Sequence, residues 1–322
     1  MPLIDFCRHV TNARSASPRR QRLRRAQSPA ARTSAALTTT ATTLALIACH
    51  AARAQEGAST ATAPPLDAAP KSTGESTASV DAAPLIISTD RPSFSDSTGI
   101  SPVGHVQLET GFTYTYSDRD DAVTNRVNGP EMLARLGVID DRFELRAIWA
   151  GWVWTEASTS GETSNAEGPS DVALGFKLKL WDESGLLPRA ALVASTTIGA
   201  GGSEVATQQI EPVVKFAWSY DLGGGVTLGG NANAAWPTTN GSHFAQGQWS
   251  IYASCVPIPR TSLFVEYFGL APNAKDSGAA NYVDFGGTLL LNDRVQLDAR
   301  VGFGLNEEAD DVFAGVGVSF LF

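Results

Sequence analysis

The chain has 322 residues, with 24 lysines and arginines against 33 aspartates and glutamates, and a net charge of −9 at neutral pH. That acidic surplus argues against nucleic acid as a partner, because phosphate backbones recruit basic surfaces. No stretch reaches the roughly 18–20 consecutive apolar residues of a membrane helix, which excludes helical spanning and nothing else.

The positive charge is concentrated at the start, where residues 1–54 hold nine arginines and a single acid, Asp5. A basic run, Arg19-Arg20-Gln21-Arg22-Leu23-Arg24-Arg25, precedes an uncharged apolar core, "SAALTTTATTLALIAC" (34–49), and then the small residues Ala52 and Ala54. That order predicts an export signal with a long basic n-region, cleaved before Gln55. The sequence "LIAC" (46–49) also fits the pattern ahead of a lipidated cysteine, so Cys49 is an alternative processing point. Residues 55–84 are Ala, Ser, Thr, Pro and Gly with almost nothing large enough to bury, which predicts a disordered linker.

From residue 85 the pattern changes to a period of two, the mark of strands with unlike faces. Twelve strands are predicted, at 105–116, 131–139, 142–154, 170–181, 189–198, 209–220, 226–236, 245–256, 260–270, 281–291, 295–305 and 311–322. In "VQLDARVGFGL" (295–305), Val295, Leu297, Ala299, Val301 and Phe303 share one side, and Gln296, Asp298, Arg300 and Gly302 the other. The connections alternate. Short ones fall at Asp140-Asp141, 182–188, 221–225, "PIP" (257–259) and 292–294; longer polar ones fall at 117–130, 155–169, 199–208, 237–244, 271–280 and 306–310. Short periplasmic turns opposite longer external loops, with an even strand number, are the pattern of an outer-membrane barrel.

Alternation alone does not say which face meets lipid. In the apolar phase of the twelve strands no position is charged, whereas the opposite phase carries Glu109, Arg135, Glu144, Arg146, Lys177, Lys179, Glu211, Lys215, Glu266, Asp284, Asp298 and Arg300. A charge on the lipid face at the bilayer midplane costs roughly 2–4 kcal/mol, so lipid enforces this exclusion and water does not. Apolar-face aromatics gather near strand ends: Tyr116, Trp236 and Tyr267 at the external side, and Phe143, Trp218, Tyr220 and Phe322 at the periplasmic side. The predicted fold is therefore an all-β, antiparallel transmembrane barrel of about 12 strands over 85–322, in contact with outer-membrane lipid. The charged inner positions are candidate pore-lining residues for a small-molecule solute, or else they pair across a narrow lumen.

Three stretches carry a family resemblance: "TDRPSFSDSTGISPVGHVQLETGFTYTY" (89–116), "GPSDVALGFKLKLWDESGLLPRAAL" (168–192) and "VQLDARVGFGLNEEADDVFAGVGVSFLF" (295–322). Together they resemble the phenol-degradation meta-pathway (MetA-pathway) transporters of Gram-negative outer membranes. The opening motif Thr89-Asp90-Arg91-Pro92 is intact; Ser93 replaces the acid that follows in the family, and Asp96 stands for its glutamate. The resemblance implies an outer-membrane barrel that passes hydrophobic or aromatic compounds. The terminal Phe322, on an alternating last strand, resembles the signal read by the barrel assembly machinery.

No catalytic constellation is legible. His105 begins the first strand and His243 falls in an external loop, out of reach of a shared nucleophile. Asp120-Asp121 and the group Glu307, Glu308, Asp310 and Asp311 read as solvated loop acids rather than metal ligands, and the sequence implies no cofactor. "TDRPSF" (89–94), with Arg91, is expected to enter the lumen and reach interior carboxylates.

Overall fold

The computed structural model describes residues 85–119 and 121–322; the predicted leader, Cys49 and the linker lie outside the described residues. Sixteen strands are formed: β1 Val106–Arg119, β2 Ala122–Ile139, β3 Phe143–Trp149, β4 Trp152–Thr159, β5 Glu162–Pro169, β6 Val172–Trp181, β7 Arg189–Thr197, β8 Pro212–Asp221, β9 Val226–Ala235, β10 Thr238–Thr239, β11 Ser242–His243, β12 Gln246–Ile258, β13 Thr261–Ala271, β14 Ala280–Asn292, β15 Val295–Gly304 and β16 Val312–Leu321. β3 continues into β4 across Ala150-Gly151, and β5 into β6 across Ser170-Asp171. With the small β10–β11 hairpin set aside, these make a wall of twelve antiparallel strands. β1 closes it, pairing with β16 through Gln107↔Leu321 to Tyr116↔Val312 and with β2 on its other edge, so the wall has no free edge.

Burial runs in reverse of a water-soluble barrel. Glu109, Arg135, Glu144, Lys177, Glu266 and Asp284 are 0% exposed, while Val316 is 60% exposed and Phe112 48%. The polar phase faces inward and the apolar phase outward, as lipid requires. Trp236 and Phe322 lie exposed at opposite ends of this outer surface.

Three connections differ from expectation. The segments predicted as external loops at 117–130 and 155–169 are mostly strand: β1 and β2 are separated by two residues, as are β4 and β5, so both hairpins extend the wall outward. β12 runs through Ile258, leaving Pro259 and Arg260 as the turn instead of "PIP". The break between β3 and β4 has a steric basis. Gly151 has φ +85°, and a Cβ there would lie 2.6 Å from the Pro130 carbonyl oxygen of the neighbouring strand.

Residues 85–104 do not join the wall. They enter at the rim carrying the short turns, where Ile87 N donates to Asp293 O (2.8 Å), fold through the lumen, and return to the wall at the Val103↔Gly137 bridge. Gly137 permits this return, since a Cβ there would meet the Ser101 carbonyl at 2.2 Å.

Candidate functional site in the barrel lumen

The periplasmic half of the lumen is a network of ions organised around residues 88–101. Asp90 accepts from Lys177 Nζ (2.9 and 3.1 Å) and pairs with Arg146 Nη1 (2.8 Å). Its Oδ1 also accepts from Ser97 N (2.8 Å), which bends residues 90–97 into a closed loop. Glu109 accepts the backbone amides of Asp90 and Arg91 (both 2.9 Å) and pairs with Arg135 (3.0 Å). Arg135 bridges on to Glu144 (2.9 Å) and donates to the Ser88 and Gly99 carbonyls (2.6 and 2.8 Å). Asp96 is held by Arg146 (3.0 Å) and Lys215 (2.5 Å). Arg91 pairs with Glu131 of β2 (2.6 Å) and Asp298 of β15 (3.3 Å). Each carboxylate thus faces a cation within hydrogen-bond reach, the condition under which buried charges are tolerated.

Small and polar side chains complete the clamp. Ser95 Oγ lies 2.6 Å from Ser250 Oγ, Thr98 Oγ1 lies 2.9 Å from Ser219 Oγ, and Gln296 donates to Thr89 Oγ1 (2.6 Å). Glu266 accepts from the backbone amides of Phe94 (2.6 Å) and Ser95 (2.9 Å).

Nearer the external rim the lumen turns aromatic. Phe94 stacks on Phe268 with centroids 4.4 Å apart and planes within 3°. Phe268 stacks in turn on Tyr282 (4.8 Å, 14°), and Phe313 lies 6.1 Å from both. The Arg300 guanidinium lies 5.0 Å from the Phe313 ring centroid. Strand register sets these positions: Glu266, Asp284, Gly302 and Phe313 are successive cross-strand partners in one row. Gly302 is required there, because a Cβ would lie 2.0 Å from the Phe313 ring.

Of the residues predicted to face inward, Glu109, Arg135, Glu144, Arg146, Lys177, Lys215, Glu266, Asp284, Asp298 and Arg300 are buried in the lumen, and the first six of these and Asp298 contact the N-terminal segment or its direct partners or, like Glu266, hold it by backbone amides. Lys179 instead lies at the periplasmic rim with Asp182 (2.7 Å) and Asp141 (3.4 Å). Glu211 precedes β8 in an external connection, where Thr238 N donates to it (2.8 Å) and burial pushes its carboxyl up. The motif residues Thr89, Asp90, Arg91 and Pro92 form the first part of the inserted segment. Sequence reasoning did not place Asp96, Glu131 or the aromatic group in the site. Phase alone could have found the rings, since Phe268 shares the face of Glu266 and Tyr282 that of Asp284. The loop acids are engaged by protein: Asp310 pairs with Arg119 (3.4 Å) and Arg126 (3.7 Å), and Asp311 accepts from Asp118 N (2.6 Å).

A family model described as "Putative MetA-pathway of phenol degradation" matches residues 89–322, the inserted segment and the whole wall. The chain belongs to this family. Among solved structures, the COG4313 outer membrane channel from Pseudomonas putida F1 superposes with a TM-score of 0.58 at 14% identity, covering 70% of this chain and 98% of that one. The transport unit of the autotransporter AIDA-I from Escherichia coli gives 0.47 at 9% identity, covering 68% and 91%. The first likeness shows that this member of the family has the outer-membrane barrel fold. A search of curated protein sequences finds no match.

Proposed function

We propose that the protein is an outer-membrane channel for passive uptake of small hydrophobic or aromatic compounds, held closed here by residues 85–104. The observation that carries this reading is the division of labour inside the barrel. Every strand of the wall presents polar side chains to the lumen, yet the space is filled by chain that is not part of the wall. A barrel serving only as an anchor gains nothing from a polar interior that must then be neutralised by an inserted segment. A removable segment, held by hydrogen bonds and ion pairs, suits a path that opens. Transport of this kind needs no catalytic residue. Insertion into lipid is attributed to recognition of Phe322 by the assembly machinery.

The reverse reading, a structural or surface-binding barrel, draws support from the complete burial of the central charges. Planar-bilayer recording separates the two. The full chain is expected to give small, defined steps, and a variant lacking 85–100 larger ones, because Arg146, Lys177 and Lys215 would then face water. Silence from both proteins, each folded by its heat-modifiable migration, would leave the anchor reading standing.

A further inference from the structure

We infer that Glu266 and Asp284 form an acid pair sharing one proton, that this pair latches the aromatic end of the inserted segment, and that uptake of a second proton releases it. The inference names a regulation of the lumen and rests on the channel reading for its purpose, but not for its geometry.

The pair stands apart from the other lumen acids. Asp90, Asp96, Glu109, Glu131, Glu144 and Asp298 each pair with a lysine or arginine. Glu266 and Asp284, both fully buried, meet each other instead: they lie directly opposite on β13 and β14, and their carboxyls are hydrogen-bonded. That contact requires a proton, because two carboxylates so close cannot both stay ionised. Among the described residues no other residue donates to the Asp284 oxygens. Glu266, in contrast, accepts from Phe94 N (2.6 Å), Ser95 N (2.9 Å) and Ser95 Oγ (2.5 Å). Donors favour the charged form, so Glu266 is the ionised partner and Asp284 carries the proton.

A carboxylate offers about four acceptor sites on its two oxygens. The inserted segment takes three on Glu266, and the Asp284 hydroxyl takes the fourth. A further proton therefore finds no vacant site on Glu266 and displaces a donor of the segment, leaving a buried N–H or O–H without its acceptor. The Phe94 ring, stacked on Phe268, moves with that backbone. The other groups facing the pair do not take this proton. Tyr252, across from Glu266 on β12, is a phenol and uncharged through the carboxylate range. Arg300 of β15 acts on both acids through space, with no hydrogen bond from its Nε or Nη1, and stays cationic; Glu131 and Arg91, which also act on Arg300, pair with each other. Asp96, next to Ser95, is held by Arg146 and Lys215. The latch is thus complete near neutral pH and is lost as the pH falls and Glu266 is protonated.

The test places 4-fluorophenylalanine at position 94 of the full chain in detergent and follows the ring by ¹⁹F NMR from about pH 7 to about pH 4, the span in which carboxyls titrate. In the otherwise unaltered chain the resonance is expected to leave its stacked position reversibly as the pH falls. Glu266→Gln presents one oxygen and an NH₂ where three donors need acceptors, so it should show the released position at every pH. Asp284→Asn keeps a donor on the fourth site and should keep the acid response. Asp284→Ala vacates that site, so a proton can bind without displacing the segment, and most of the response should be lost. Heat-modifiable migration at both ends of the pH range shows that each protein is folded. A resonance that stays stacked at low pH, or an acid response that survives Glu266→Gln, overturns the latch; equal responses from Asp284→Asn and Asp284→Ala overturn the shared proton. Bilayer silence alongside the expected ¹⁹F pattern removes only the channel reading; conductance steps with a resonance indifferent to pH and to Glu266→Gln remove only the latch.

Discussion

At the scale of single residues, the lumen is governed by the cost of leaving a charge without its counterion. Lys177 is 0% exposed and gives its ammonium to both oxygens of Asp90 and to the carbonyls of Ser97 and Gly99. Lys177→Met leaves Asp90, beside Glu144, with Arg146 as its one direct cationic partner, and breaking a buried pair from one side typically costs about 3–5 kcal/mol. Asp90→Asn alone leaves Lys177 and Arg146 with a weaker acceptor and is also expected to destabilise. The double variant should lose less than the sum of the two, since each change removes the other's unpaired charge. Urea unfolding of all four proteins in lipid vesicles measures this; strict additivity would mean that the Asp90–Lys177 contact contributes nothing of its own. The charges on the strands were legible in the sequence, because each strand shows which of its residues turn away from the apolar face. Their partners were not. Asp96 lies in a stretch with no period, and its pairing with Lys215 joins residues brought together only when the barrel closes. Lys179 shows the opposite error: it has the inward phase, but the ladder is irregular between Lys179 and Trp181, and the side chain reaches the rim acids.

At the scale of strands, alternation is informative only where the two faces meet different solvents. Within the bilayer they do, and β13, β14, β15 and β16 follow their predicted spans closely. Above it, both faces of β1–β2 and β4–β5 meet water, so "SDRDDAVTNRVNGP" (117–130) and "TEASTSGETSNAEGP" (155–169) carry no apolar period and read as loops although they are paired strand. The same reasoning yields a test of which solvent touches the outer face. Val316 sits in mid-strand on β16, opposite Ala299 of β15 and Phe112 of β1, and is 60% exposed. Val316→Lys should cost about 2–4 kcal/mol for refolding into vesicles, the range for a cation on a barrel's lipid face near the midplane. On a water-facing surface the same change would fall within roughly 0.5 kcal/mol of neutral. A neutral result would place water on the apolar side and invert the fold's orientation.

At the scale of the whole molecule, the inserted segment acts as a hub: its clamps come from β1, β2, β3, β6, β8, β12, β13 and β15, nearly the full circumference. Opening therefore cannot follow from loss of one contact, and complete ejection would expose many charges at once. A partial movement is cheaper, one in which the aromatic end around Phe94 and Ser95 lifts while Asp90 and Arg91 stay bound to Lys177, Glu109 and Glu131. That picture predicts where a covalent lock matters. Ser95 Oγ and Ser250 Oγ are 2.6 Å apart, close to the sulfur–sulfur distance of about 2.05 Å in a disulfide. In Ser95→Cys/Ser250→Cys, oxidation should lower the bilayer conductance below that of wild type, and reduction with dithiothreitol should restore it. A second pair at the anchored side, Thr98→Cys with Ser219→Cys, joins hydroxyls that lie 2.9 Å apart, next to Ser97, whose amide Asp90 holds, and should change conductance little in either redox state. Equal loss from both locks would mean that the segment moves as one body; no loss from the first would mean that any path for solute bypasses Ser95 altogether.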